Sequence, residues 1–418
     1  MIQAPRGTKD VLPQESAAWQ AMEHVMRETC RLAGYREIRT PVIEHTELFL
    51  RGVGDTTDVV QKEMYTFEDK GGRSITLKPE GTAGAARLFI EHGLFNDPLP
   101  LKMYYLYCPV FRYEAPQSGR LREHHQFGIE VFGAKAPTMD AEVIRLAMDV
   151  IERLGVQNLS LVINSIGCPH CRPKYQQALR DFLQPKLSSL CPTCQTRYEK
   201  NPLRILDCKD PSCKALTQGA PTILEYLCEE CSEHFEQVKS ILSSIGVQFQ
   251  VDPGLVRGLD YYTKTVFEIM APLGEGGQML TACAGGRYDG LVETVGGPSV
   301  PGIGFGMGME RMLLALQAQG RLAQAEAPFR VFVASMGQAA GLEAFRLTRL
   351  LREKGIPCDC DHAGRSLKAQ FKFAGKLNPA YVVVLGEEEL AQQRYRLRDM
   401  VSRQEELLSL EQLLERLA

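Results

Sequence analysis

PGIGFGMGMER (residues 301–311) carries a glycine at 302, 304, 306 and 308, and the reading of that alternation decides the fold. A dinucleotide-phosphate loop, G-x-G-x-x-G, needs a strand before it, a helix after it and an acidic residue closing the next strand about 20 residues on. The next strand-like run is FRVFVAS at 329–335, and the nearest acid, Glu326, lies before it. Strict alternation has another meaning, because successive side chains of a strand point to opposite faces. Such a strand leaves one face bare at the four glycines while Ile303, Phe305, Met307 and Met309 pack on the other. Glycine inside a strand marks either a tight barrel-like corner or the close approach of another group to the backbone. Glu310 and Arg311 then open an apolar helical run, MERMLLALQ. The fitting ligand is flat, anionic at one end and met by an arginine.

Outward from this strand, the bulk numbers set limits. A chain of 418 residues has room for two or three domains, and 44% apolar with 24% charged residues is ordinary for a globular protein. The formal net charge of -3 excludes a surface built throughout for nucleic acid, while a local basic face stays open. MIQAPRGTKD lacks the apolar region of a signal peptide, and no 18-residue apolar run is present, so a cytoplasmic protein without a membrane span is expected. Thirteen cysteines in that compartment read as thiols or metal ligands rather than disulfides.

Residues 14–33 form an amphipathic helical pattern, with Trp19, Met22, Met26 and Ala33 on one stripe and Gly34 as its stop. GYREIRTPVIEHTELF is extended in character and broken at Pro41. Between 101 and 133, LKMYYLYCPVFRY and EHHQFGIEVFG flank the polar loop EAPQSGRLR, which predicts an antiparallel hairpin. In its second strand His124, Gln126, Gly128 and Glu130 share one face and Phe127, Ile129 and Val131 the other. The polar face is either solvated or a ligand surface, with Arg112 brought beside it. In TLKPEGTAGAARLFIEHG a strand ends at Glu80, and Thr82 starts a helix as an N-cap or as a ligand contact. LVRGLDYYTKTVFEI reads as a strand bearing Arg257 and Asp260; Tyr261 and Tyr262 belong to the core or to a site. After a linker at about 318–328, strands and helices alternate through VFVASM, a helix at 337–354, GRSLKAQFKFAGK and YVVVLG, which predicts a small α/β domain.

These segments together resemble the class II aminoacyl-tRNA synthetases and, among them, the histidyl-tRNA synthetase family of bacterial type. GYREIRTPVIE resembles the first class II motif, with Pro41 at a dimer interface, FRYEAPQSGRLREHHQF the second, and GIGFGMGMER the third. RGLDYYTKTVFE and AGGRYDGLV are similar to two segments peculiar to the histidine enzymes. The resemblance implies an α+β fold: an antiparallel-sheet catalytic domain over 1–325, interrupted at about 168–245 by a Cys-rich insertion, and an anticodon-binding domain over 329–418. It implies a histidine–tRNA ligase that forms histidyl-adenylate and pyrophosphate from L-histidine and ATP, then charges tRNA(His), as a homodimer. Arg112 would hold the α-phosphate, Mg2+ would bridge phosphates, and Arg257 would supply a second cation. Gly304, Gly306 and Gly308 would underlie adenine with Arg311 over it, and Glu114 would read its edge. His124 stands at the ATP where the family often places an aromatic that stacks on adenine, and Ala115 where some relatives carry arginine, so the loop would grip the tRNA end through Arg120 and Arg122, with Arg120 also meeting ATP. Glu80, Thr82 and Gln126 would bind the α-amino group, and Glu130 with Tyr261 and Tyr262 the imidazole. A catalytically inactive regulatory subunit of histidine biosynthesis is the alternative; such chains usually lack the C-terminal domain and have a degraded arginine set.

Two features lie apart from the motifs. Cys168-x2-Cys171, nineteen residues, Cys191-x2-Cys194 lies within zinc-ribbon spacing and could hold one Zn2+; Cys208, Cys213, Cys228 and Cys231 could form a second site. Arg365, Lys368, Lys372 and Lys376 are spaced as one helical stripe, and no acid lies between 362 and 376. Like charges at that spacing oppose a helix, and a polyanion relieves them; by the resemblance Arg365 and Lys368 would meet tRNA.

Overall fold

A computed structural model of the chain describes residues 2–54, 57–114, 121–273, 277–323 and 329–417. The chain divides into two units, residues 1–323 and 324–418. In the first, eight strands form one sheet in the order Arg36–Glu37, Leu101–Phe111, Glu123–Phe132, Gly302–Gly308, Met279–Arg287, Thr263–Pro272, Ser160–Ser165, Gln250–Val251. The two edge pairs run parallel and every other pair antiparallel. The hairpin expected between 101 and 133 pairs Leu101 with Phe132 and Phe111 with Glu123, with a register shift between Tyr105 and Cys108. Ala115 and Arg120 lie outside the described residues.

One face of this sheet is the core. Phe127, Ile129 and Val131 bury beside Ile303, Phe305 and Met307, against helices Pro13–Leu32 and Pro137–Arg153. Proline at the first turn starts both helices without losing a bond, because that N–H has no partner inside a helix. Trp19, Met22, Met26 and Cys30 recur every three or four residues and so line one side of the first helix. Each such side chain contributes about 1.5–3 kcal/mol when fully buried.

One strand is shorter than its sequence suggests. The extended run expected at LVRGLDYYTKTVFEI becomes a ladder only from Thr263, and residues 255–262 belong to no strand, bending and turning at 258–261. The reason is local: the Tyr261 and Tyr262 rings pack 4.6 Å apart instead of alternating, and the Tyr262 carbonyl accepts from the Arg172 guanidinium rather than from a neighbouring strand.

Between Ser160–Ser165 and Gln250–Val251 the chain leaves the sheet. Helices Arg172–Leu183, Pro192–Lys200 and Pro211–Leu216 enclose a small core of Tyr175, Leu179, Leu183, Leu190, Ile205 and Ile223. Helix Glu229–Ser244 returns to the main core through Phe235, Val238 and Leu242. It is tied there by a buried hydrogen-bond network. His234 shares Asp140 with the fully buried Arg287, which also donates to the Ala134 carbonyl at 2.7 Å. Burial alone would raise the Asp140 carboxyl, but the bonds from His234 and Arg287 outweigh it and hold it below the usual range.

A separate sheet of three strands, Ile43–His45, Ser74–Leu77 and Tyr65–Glu68, follows the Pro41 break, with the middle strand in sequence paired at the edge. Its register puts Ile43, Leu77, Tyr65, Ile75 and Phe67 on one face, with Ile43 and Phe67 exposed. Among the described residues no helix is long and apolar enough to cross a membrane.

The second unit has five strands in the order Cys358–Cys360, Val331–Ser335, Tyr381–Leu385, Tyr395–Asp399, Glu405–Leu408. The first three are parallel, and helices Gln338–Glu353 and Leu367–Leu377 supply the connections. The remaining pairs are antiparallel.

Candidate active site

The glycine strand lies directly beside the polar face of the hairpin. Gly304 pairs with Glu130, Gly306 with Gly128 and Gly308 with Gln126, so the bare face and the polar face are one surface. It is not bare throughout. A Cβ on Gly302 would meet the Tyr288 ring at 2.2 Å, and one on Gly304 would meet Glu130 Oε2 at 2.2 Å. Only Gly306 and Gly308 front space, with Gln126 and Arg311 at 3.6–3.8 Å from the added atom. The expected four-glycine platform, Gly304 included, therefore shrinks to the last two glycines, because the Tyr288 ring covers Gly302 and the Glu130 carboxylate covers Gly304.

That carboxylate is the centre of the site. Glu130 is fully buried and accepts from Thr82 Oγ1 at 2.8 Å, from the Tyr105 hydroxyl at 3.1 Å, and from the Tyr288 hydroxyl. Burial pushes its carboxyl up to about 8, against the opposing pull of these hydroxyls. Burial, and then the neighbouring Glu130 charge, hold the Tyr105 and Tyr288 hydroxyls protonated as donors. Tyr105 is itself fitted between two glycines, with Gly81 and Gly128 giving its ring the space a Cβ would take. Tyr261 packs edge-on to Tyr288 at 5.6 Å, which brings both expected tyrosines to this wall.

Glu80 and Thr82 approach from the next segment. Helix Thr82–Glu91 has Gly81 as its N-cap, so Thr82 is the first helical residue, and of its two sequence readings the cap is the one that does not hold. The capping is done by Glu80, whose carboxylate accepts from the N–H groups of Thr82 at 2.7 Å and Ala83 at 2.8 Å. This frees the Thr82 hydroxyl for Glu130. Burial raises the Glu80 carboxyl, and those two backbone bonds moderate the rise.

The cations occupy the other end. Arg257 pairs with Glu268; Glu268 accepts from the Thr281 hydroxyl at 3.1 Å; and the Thr281 carbonyl accepts from Arg311 at 2.6 Å. Two of the three expected arginines are thus linked across strands through Glu268 and Thr281. Arg112 is placed by its Nε bond to the Pro79 carbonyl at 2.8 Å, and its Nη1 lies 3.9 Å from Glu63. Arg122 lies over the Tyr113 ring at 4.3 Å and donates to the Glu114 carbonyl. His124 contacts the Leu121 carbonyl at 3.2 Å, and Gln126 faces the open glycines. Arg120 lies outside the described residues.

Sequence reasoning missed Tyr105, Tyr288, Glu268 and Thr281. Tyr288 and Glu268 sit in segments singled out for their resemblance, without a role of their own. Tyr105 is obscured by the register shift that follows it, which breaks simple alternation.

The eight clustered cysteines form two groups, but not in the expected pairing. Cys168 and Cys171 join Cys228 and Cys231, while Cys191 and Cys194 join Cys208 and Cys213. Spacing pointed to Cys168, Cys171, Cys191 and Cys194. Helix Arg172–Leu183 intervenes, and at 1.5 Å per residue it carries the chain about 18 Å away before Cys191 is reached.

In the second unit the expected stripe is also changed. Arg365 precedes the helix, whose N-cap is Ser366, and binds Asp361 at 2.6 Å while covering Phe373 at 4.2 Å. The turn before the helix brings Asp361 back to it, a pairing that a search for acids after 362 cannot see. Lys368, Lys372 and Lys376 remain exposed on the helix.

A mainly antiparallel eight-stranded sheet with a glycine strand, a hairpin beside it, buried carboxylates and linked arginines is the catalytic domain of a class II aminoacyl-tRNA synthetase. Residues 7–312 match the model of histidyl-tRNA synthetase, and residues 330–418 match the anticodon binding domain. The chain is 55% identical over 406 residues to the histidine–tRNA ligase of Caldanaerobacter subterraneus subsp. tengcongensis, covering 97% of this chain and 96% of that protein. It is 56% identical over 389 residues to the histidine–tRNA ligase of Clostridium botulinum strain Loch Maree, with 93% and 92% covered. The crystal structure of apo Staphylococcus aureus histidyl-tRNA synthetase superposes with a TM-score of 0.85 at 40% identity over 100% of both chains. The chain belongs to the histidyl-tRNA synthetase family.

Proposed function

We propose that this chain activates L-histidine with ATP, releasing pyrophosphate, and transfers the histidyl group to the 3' end of tRNA(His). The observation that carries the site assignment is the continuity of one surface: the Glu130 strand pairs with the glycine strand, Gly306 pairs with Ala284, which in turn pairs with Glu268, and Gly308 lies against Arg311.

Glu130, poised near neutrality and surrounded by hydroxyls, suits an imidazole, which titrates in the same range. Tyr261 and Tyr262 wall the pocket, and Glu80, Thr82 and Gln126 supply polar atoms for the α-amino end. Adenine lies on Gly306 and Gly308 with Arg311 across it, Glu114 and His124 at its rim. Arg112 and Arg257 meet the α-phosphate as the histidine carboxylate attacks it. Their planar forks match phosphate oxygens, and a fixed cation in a largely dry site stabilises the charge that builds there. Glu268 and Thr281 are positioning residues that keep Arg257 aimed. When bound with ATP, Mg2+ would supply charge neutralisation to the triphosphate beside Arg112 and Arg257. Lys368 and its neighbours meet the tRNA. The apolar face of Ile43, Tyr65, Phe67, Ile75 and Leu77 supports a homodimer near Pro41.

The regulatory alternative is disfavoured by the retained arginines and by residues 330–418. The decisive experiment is histidine-dependent exchange of labelled pyrophosphate into ATP, with other amino acids as controls, repeated with Arg257→His. Exchange with histidine alone, lost in the variant, is the expected result. Folded protein with no exchange would reject catalysis.

A further inference from the structure

Neither cysteine group is used in the proposed chemistry, and the geometry points to metal. Within each group the four sulfurs all lie within 4.8 Å of one another. Cys168 Sγ is 3.6 Å from Cys171 Sγ and 3.9 Å from Cys228 Sγ, and Cys191 Sγ is 3.9 Å from Cys208 Sγ. A disulfide needs about 2.05 Å. A tetrahedron of sulfurs around Zn2+ at about 2.3 Å has edges of about 3.8 Å, close to these three separations. Backbone N–H groups also aim at the sulfurs: Cys228 N lies 3.2 Å from Cys171 Sγ, and Cys191 N lies 3.3 Å from Cys213 Sγ. Such donors favour thiolates and orient ligands.

We propose that the insertion holds two structural tetrathiolate Zn2+ sites, one on Cys168, Cys171, Cys228 and Cys231 and one on Cys191, Cys194, Cys208 and Cys213. They divide the work by position. The first joins the segment entering the insertion to the segment leaving it. Gly167, just before it, turns with φ +64°, and a Cβ there would strike Cys171 Cβ at 2.7 Å. Arg172 follows directly and donates to the Tyr262 carbonyl, so this knot also fixes the tyrosine wall. The second lies inside the insertion, where short helices enclose few large apolar side chains. A core that small needs a cross-link to hold one structure.

The test uses the full chain, purified and dialysed against a weak chelator. About two zinc ions per chain are expected. Replacement by Co2+ should give the sulfur-to-cobalt charge-transfer and d–d bands of tetrahedral thiolate sites. Stepwise removal with a strong chelator, followed by alkylation and mass spectrometry, reads the pairing without any mutation. Cys168, Cys171, Cys228 and Cys231 should become reactive together, and Cys191, Cys194, Cys208 and Cys213 together. As a second reading, Cys171→Ser with Cys231→Ser should leave about one zinc, and Cys171→Ser with Cys194→Ser none. Less than about a tenth of a zinc per chain, with all eight thiols alkylated at once in native protein, overturns the proposal. Cys168, Cys171, Cys191 and Cys194 reacting as one set overturns the pairing.

Discussion

The carboxylate of Glu130 lies on the backbone of Gly304: a Cβ there would come within 2.2 Å of Glu130 Oε2 and of the Ile129 carbonyl oxygen. Neither neighbour can yield, since one is backbone and the other is held by three hydroxyls. Gly304→Ala should therefore cost at least the about 1–3 kcal/mol of an overpacked core and abolish histidine-dependent exchange. Gly306→Ala, with only Gln126 at 3.6 Å, should fold normally and raise KM for ATP. Thermal melts of the two proteins check this; equal loss of Tm in both would contradict it.

Because burial places Glu130 at about 8 and free imidazole titrates at about 6.5, the pH dependence of histidine binding has a defined shape. Between those values Glu130 carries one proton, and so does the complex, so binding is proton-neutral. Above about 8 a proton must be taken up, and below about 6.5 one must be released. KM for histidine should be flat inside the window and rise on both sides. In Glu130→Gln the alkaline limb should vanish. A limb that persists unchanged would assign it to another group. The same shift bears on stability: the folded state binds the extra proton between the ordinary carboxyl range and about 8, so this group's contribution falls as pH rises through that interval.

Thr281 separates positioning from contact. Thr281→Ala removes the hydroxyl bond to Glu268 but leaves the backbone carbonyl that holds Arg311. One such bond contributes about 0.5–1.5 kcal/mol, so pyrophosphate exchange should slow by about 2–10-fold with histidine KM unchanged. Arg257→His should cost about 100–1,000-fold. Equal losses in the two variants would remove the distinction between them.

In the second unit, Lys368→Gln with Lys372→Gln should weaken tRNA binding and lower its dependence on the logarithm of salt concentration by about 0.7–0.9 for each phosphate that is no longer neutralised. Arg365→Gln should act differently. It breaks an ion pair with Asp361, so part of its effect should appear as a lower Tm without tRNA. An unchanged salt slope in the lysine variant would remove this helix from the tRNA surface.

What the sequence made legible were the parts governed by short-range periodicity. The glycine strand, the hairpin and helix Pro13–Leu32 each show their buried face in residue spacing alone. Glu130 and Gln126 were legible for the same reason, as members of a polar face. Tyr105, Tyr288 and Glu268 were not, because their roles depend on which strands become neighbours across long stretches of chain. The cysteine pairing failed on the same ground: spacing in residues says nothing about where an intervening helix delivers its end. Arg365 failed on a turn that reverses the chain within four residues.

Cys171 and Cys228 stand 57 positions apart, yet the backbone of one reaches the sulfur of the other at 3.2 Å. Closing a loop of that size costs the chain about 4 kcal/mol in entropy when nothing bridges it. Once it is bridged, residues 172–227 are gathered at one knot, and further ties run from Arg197 to Asp58, from Asn201 to Asp260 and from Arg204 to the Arg257 carbonyl. The insertion is therefore no detachable module: a chimaera with a short glycine-serine turn in its place would lose the Arg204 bond that steadies the backbone of Arg257.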